Sequence, residues 1–171
     1  LSIDAAVTAS QIVLALQTIR SRTLSPFSDN VVTVGVMRGG DRNNIIPGEM
    51  LLEGTIRTFN DPDLDTIERR MREIFDGITR SAGASFTIEF DRSHPMTVND
   101  TTLSRRFGPV LTRVAGAANV RIAPPITGAE DFSYFAREVP GFYVRIGAVP
   151  EGKVSGGHHT PTFYADDQTV P

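Results

Sequence analysis

Apolar positions along the chain switch between two periods, and the switches mark its elements. From Asp4 to Arg20, Ala6, Val7, Ile12, Val13, Leu16 and Ile19 fall on one stripe at helical spacing, with Asp4 placed as the cap, so the pattern predicts a helix over 4–20. Val31–Phe59 then holds two β-branched, apolar runs around a middle dense in Gly, Asn and Pro, the pattern of two strands joined by an ordered turn. In the second run Leu52, Gly54, Ile56 and Thr58 alternate with Glu53, Thr55, Arg57 and Phe59. One face is therefore mostly apolar, and the other carries a carboxylate, a hydroxyl and a guanidinium. Asp61-Pro62 opens a second helix, Asp61 as its cap, with Leu64, Ile67, Met71, Ile74, Phe75 and Ile78 on its stripe and Gly83 at its end. Ala84–Asp91 alternates again and reads as a strand. The order α-β-β-α-β lacks only a leading strand to make a split βαβ sandwich, an antiparallel sheet under two helices in the ferredoxin-like manner.

The pattern changes near Ser93-His94-Pro95, which places a boundary between residues 1–95 and 96–171. Beyond it, Asn99-Asp100 precedes a helical stripe of Leu103, Phe107, Val110, Leu111 and Val114. Val120–Ile122 reads as a short strand, Glu130–Phe135 as one or two helical turns, and Phe142–Gly147 as a buried strand. Residues 156–167 have little regular pattern. The second segment has too few strands to close its own sheet and is expected to complete a domain begun elsewhere. The fold class is α+β, and the chain, beginning at Leu1, reads as an excerpt from a longer protein.

Composition narrows the functional classes. With 171 residues, 40% hydrophobic and 22% charged, the chain is an ordinary globular sequence. A net charge of −3 gives no reason to expect nucleic acid or an anionic membrane as partner. No apolar run approaches the ~20 residues of a membrane span. The absence of cysteine rules out disulfides and thiolate metal sites. A cytoplasmic location is the expectation.

Three places could carry chemistry. Arg57 near a strand end, with Asn44 in the preceding turn, makes an anion-recognition pair in which the guanidinium fork grips a carboxylate and the amide adds one oriented hydrogen bond. An exposed strand arginine and a turn-forming asparagine fit the same pattern. His158-His159 lies in a Gly-rich loop, where one imidazole of the pair is a good ligand for zinc or a similar ion; exposed loop histidines are the other reading. Glu130 and Asp131 are candidate acids, although Asp at a helix start is usually a cap.

Taken in order, Ile3-Asp4-Ala5-Ala6, Asn44-Ile45-Ile46-Pro47, Gly54-Thr55-Ile56-Arg57-Thr58, Asn99-Asp100, Ala129-Glu130-Asp131-Phe132, Pro140-Gly141 and His159-Thr160-Pro161-Thr162-Phe163 resemble the dinuclear-metal amidohydrolases. These are the aminoacylase/carboxypeptidase metallopeptidases, and the likeness is strongest to the hippurate hydrolase and indoleacetyl-amino-acid hydrolase branch. The resemblance implies that residues 1–95 are a lid and dimerisation domain lacking its first strand, and that 96–171 are the C-terminal part of an α/β catalytic domain. It implies that Asn44 and Arg57 bind the substrate carboxylate, that His159 is a metal ligand, and that Glu130 and Asp131 lie on a pocket loop without a definite role. It further implies two divalent ions (zinc, manganese or similar), a homodimer formed through the lid, and hydrolysis of N-acyl amino acids or peptide-like amides by metal-activated water, relayed by a glutamate. The family's other ligands and its catalytic glutamate fall before Leu1, so this chain alone is expected to be inactive and to bind metal weakly. A non-catalytic dimerisation module and an amino-acid-conjugate binding protein remain as alternatives.

Overall fold

The computed structural model describes residues 2–150 and 152–167. The chain divides into two compact units: Leu1–Met96 with Ile122–Glu130, and Thr97–Arg121 with Asp131–Pro171. The architecture is α+β, with four α-helices and one two-stranded antiparallel sheet among the described residues.

The first unit opens with α1 (Ala5–Thr18), started by Asp4, whose Oδ1 accepts from the amides of Ala6 and Val7 at 3.0 Å each. Its buried side comprises Thr8, Ala9, Ile12 and Leu16, and Ile19 continues it. Val7, expected on that stripe, is exposed instead. Thr8 takes the inward place because its hydroxyl donates back to the Asp4 carbonyl at 2.7 Å, leaving only its methyl to be packed. The helix widens into a π-helical turn over Ile19–Thr23 before the chain turns outward.

β1 (Asn30–Arg38) and β2 (Leu51–Thr58) pair antiparallel, with Val31 opposite Arg57, Val32 opposite Ile56 and Thr33 opposite Thr55. A bulge between Val34 and Val36 leaves Gly35 without a partner. Val32, Val34, Leu52 and Ile56 face the core, which leaves Thr33, Thr55 and Arg57 on the outer face. α2 (Asp61–Ala82) follows. Its cap is Asn60 rather than Asp61: the Asn60 side-chain Oδ1 accepts from the Asp63 amide at 2.7 Å, which puts Asp61 and Pro62 inside the first turn. Gly83, at φ 71°, ends the helix in the left-handed conformation that glycine adopts without strain. Ile12, Leu16, Ile19, Ile67 and Phe75 form the core, and Ile19 and Ile67 are 0% exposed.

Residues 84–91 were expected to be a strand. They alternate in burial, and Phe86 and Ile88 pack on the core, with the Phe86 ring 5.4 Å from that of Phe75. They have no ladder partner among the described residues, and period-two burial without a neighbouring backbone does not make a strand. Side chains hold the segment along α2 instead: Arg92 donates to Glu68 at 2.7 Å and Asp65 at 2.8 Å, and Arg72 lies over the Phe90 ring.

The second unit contains α3 (Thr101–Ala115), capped by Asp100 through the Leu103 amide at 2.8 Å, and α4 (Phe132–Glu138). The strands expected at 120–122 and 142–147 are absent. A polar side chain does the work of a ladder at the start of the latter: the Asn99 amide donates to the Tyr143 carbonyl at 2.8 Å and accepts from its N–H at 2.7 Å. The backbone adds Asp100 N–H to the Gly141 carbonyl at 2.8 Å. No helix among the described residues is long and apolar enough to cross a membrane.

Candidate functional site

In the first unit the strand pleat aims Arg57 outward from β2, and the side chain is exposed. Its Nη1 donates to the backbone carbonyl of Thr127, in the stretch Ile122–Glu130 that belongs to the same unit. Pro125 of that stretch lines a cavity of about 460 Å³ together with Ser25, Phe27, Ser28, Asp29, Phe59, Asn60 and Asp63. The 122–130 stretch therefore runs beside the C-terminal end of β2.

Asn44 is exposed in the connection between the strands, where the Ile45 amide donates to the Arg42 carbonyl at 3.2 Å. This connection lies beyond the Arg38–Leu51 pair, whereas Arg57 pairs with Val31 near the other end of the ladder. Six residue steps along β2 take the chain from Leu51 to Arg57, roughly 20 Å at strand rise. No hydrogen bond among the described residues joins Asn44 to Arg57. Thirteen positions of sequence spacing thus place the two toward opposite ends of one hairpin.

In the second unit His159 sits in a compact loop. Gly156 N–H donates to the Thr162 carbonyl at 2.9 Å, Thr160 N–H to Gly157 at 3.3 Å, Phe163 N–H to Thr160 at 3.1 Å, and Tyr164 N–H to the Ser155 hydroxyl at 2.7 Å. This web holds His159 at φ 63°, the one non-glycine residue with positive φ among those described. An imidazole-bearing residue in that region costs about 1 kcal/mol or more, so the surrounding bonds must impose it. The neighbouring His158 ring sits edge-on against Phe163, 5.3 Å between centroids, and both histidines are exposed. Gly156 is required by closeness: a Cβ there would fall 2.2 Å from the Thr162 hydroxyl and 2.4 Å from that of Thr160.

Asp131, expected as a cap, makes no side-chain cap at α4; its backbone lies in the helical region, and its carbonyl accepts from the Tyr134 amide at 3.1 Å. Glu130 is half-buried and belongs to the first unit. His94 bonds its own neighbour, Nδ1 to the Ser93 hydroxyl at 3.0 Å. Among the described residues no group of three or more His, Cys, Asp or Glu could hold a metal ion. One imidazole does not make a dinuclear centre. Sequence reading missed the contact between Arg57 and Thr127, because 70 residues separate the two and no local pattern marks a backbone carbonyl as a partner.

The fold and these residues define a class. The profile of the peptidase family M20/M25/M40 matches residues 6–171, and the chain belongs to that family. Its relatives are hydrolases. Over 171 residues it is 33% identical to the N-acetyldiaminopimelate deacetylase of Exiguobacterium sibiricum, covering 100% of this chain and 45% of that protein. It is 33% identical to the IAA-amino acid hydrolase ILR1-like 2 of Arabidopsis thaliana, covering 99% of this chain and 39% of that one. Among solved structures, one from methicillin-resistant Staphylococcus aureus superposes with a TM-score of 0.81 at 32% identity, over 98% of this chain and 43% of the other. The Bacillus subtilis YXEP protein, described as a dinuclear metal binding peptidase of the M20 family, gives a TM-score of 0.76 at 25% identity, over 98% of this chain and 42% of its own. The chain spans less than half the length of each.

Proposed function

We propose that the longer protein to which this chain corresponds hydrolyses the amide bond of N-acyl amino acids or peptide-like conjugates, and that this chain contributes the group that recognises the free carboxylate. Arg57 is that group. The observation carrying the reading is an exposed guanidinium on the outer face of β2, fixed at one nitrogen, in a chain of the M20/M25/M40 family. A guanidinium presents paired N–H donors at the spacing of a carboxylate's two oxygens and keeps its charge at any working pH. His159 is proposed as one metal donor of two divalent ions, the remaining donors coming from outside this chain. By itself the 171-residue chain is proposed to turn over no amide and to bind metal weakly.

Asn44 joins the same site most readily across a homodimer. If the free edge of β1 pairs antiparallel with that of a second copy, the partner's strand connection lies at the Arg57 end of the first copy. One carboxylate would then meet Arg57 of one protomer and the partner's Asn44. Two observations favour this over a single-chain clamp: the ladder separates the residues, and β1 has no second neighbour among the described residues.

The test uses the longer protein. Arg57→Ala should lower kcat/KM for an N-acyl amino acid roughly 10- to 100-fold, the weight of a charge-assisted hydrogen bond, while cleavage of the matching carboxamide stays unchanged. Equal losses on both substrates would refute the carboxylate role. Mixing Asn44→Ala and Arg57→Ala protomers should restore part of the activity each lacks alone. No recovery in a proven mixed dimer would place both residues in one protomer's site or in none.

A further inference from the structure

The contact between Arg57 and Thr127 gives the anion site a second function. A guanidinium has five N–H donors: two on each terminal nitrogen and one on Nε. The Thr127 carbonyl takes one at Nη1. The opposite edge, Nε with Nη2, still offers the parallel pair that a carboxylate accepts side-on. Pinning Nη1 also restricts the motion of the fork, so a long side chain loses less freedom when an anion arrives.

We propose that Arg57 is a bridging residue: it holds the 122–130 stretch on the first unit through the Thr127 carbonyl and presents its free edge to the carboxylate, so that carboxylate binding and ordering of this stretch strengthen each other. The proposal rests on the carboxylate reading above. Two features of the stretch fit it. Pro124-Pro125 stiffens its entry, and Pro125 lines the same cavity as Phe59 and Asn60, the residues just beyond β2. Beyond Pro125 the hydrogen bond to Arg57 is the one that anchors residues 126–128 among those described. Its acceptor is a backbone carbonyl, so no side chain of the stretch is needed. Coupling of this kind is reciprocal: whatever affinity the docked stretch adds to anion binding, the anion returns to docking.

Amide exchange on the 171-residue chain tests it, read at Ile126, Thr127, Gly128, Ala129 and Glu130. Without ligand, Arg57→Ala should speed exchange there about 2- to 10-fold, the weight of one hydrogen bond. N-benzoylglycine should slow the same amides in the parent chain and in Thr127→Ala. It should not do so in Arg57→Lys, because an ammonium cannot hold a carbonyl and grip a carboxylate with a planar fork. Unchanged ligand-free exchange in Arg57→Ala would overturn the proposal by showing no tether. Binding of N-benzoylglycine, seen by titration, without slowing or with faster exchange would overturn the bridge and leave the carboxylate role standing. No binding at all would overturn both, while the ligand-free comparison still reports the tether.

Discussion

Two glycines of one hairpin should respond in opposite ways to the same substitution. A Cβ built at Gly54 falls 2.1 Å from the Thr33 carbonyl oxygen, 3.1 Å from its carbon and 3.3 Å from the Val34 Cα, all of them backbone atoms of β1. Backbone cannot swing aside as a side-chain end can, so the strands must part by about 1 Å next to the bulge, an overpacking cost of ~1–3 kcal/mol. A Cβ at Gly35 meets nothing within 4 Å, and its φ lies outside the left-handed region. Alanine there should be neutral, or stabilise by about 0.4–1 kcal/mol through the unfolded chain. Gly54→Ala should therefore be less stable than Gly35→Ala by roughly 1.5–4 kcal/mol, about ten-fold to several hundred-fold in the opening equilibrium of the hairpin. Tyrosine fluorescence would miss this, because Tyr134, Tyr143 and Tyr164 all belong to the second unit. Amide exchange at Val32, Val34, Ile56 and Arg57 reads it directly. Equal exchange rates in the two variants would refute the close approach of β2 to β1 at Gly54, and with it the register that points Arg57 outward.

Other consequences are smaller. Asp4→Ala removes the acceptor of two N-terminal amides of α1 and should cost about 1 kcal/mol in urea unfolding followed by circular dichroism, with Asp4→Asn nearly neutral. Asn99→Ala strips both bonds from Tyr143 and should cost ~1–3 kcal/mol, seen as earlier loss of the tyrosine signal; unchanged unfolding would deny that side chain its ladder role. Hydrogen bonds from Arg69 and then Arg70 hold the Glu73 carboxyl below its ordinary value of 4.5. The folded value lies below the unfolded one, so the stabilisation is complete above about pH 4.5 and fades as pH falls through the folded value. Glu73→Gln should thus flatten the acid side of the stability profile and leave its shape unchanged at neutral pH; an equally steep acid limb would contradict the ion pair.

Local signals carried much of this into view from the sequence. The 3.6-residue stripe on α2 and the period of two in β2 report burial on one side of a rigid element, and the core of Ile67, Phe75, Leu52 and Ile56 follows from them. Caps were legible to within a residue, since Asn60 and Asp61 are both good caps and only the dihedrals decide between them. Strands were less so. Residues 84–91 and 142–147 have strand-like composition, yet a strand is defined by its neighbour, and in one case that neighbour is the Asn99 side chain. Arg57 and His159 were picked out by pattern and resemblance. The Thr127 carbonyl could not be, because every residue has one. The ends of the ladder that separate Asn44 from Arg57 follow from register, which spacing alone does not fix.

Recognition of a free carboxylate by Arg57 is tested most directly by the Nε–H resonance of Arg57 during titration with N-benzoylglycine and, separately, with N-benzoylglycinamide. A saturable shift with the acid, absent with the amide and lost in Arg57→Lys, is expected. No shift with the acid, or the same shift with both, would contradict it.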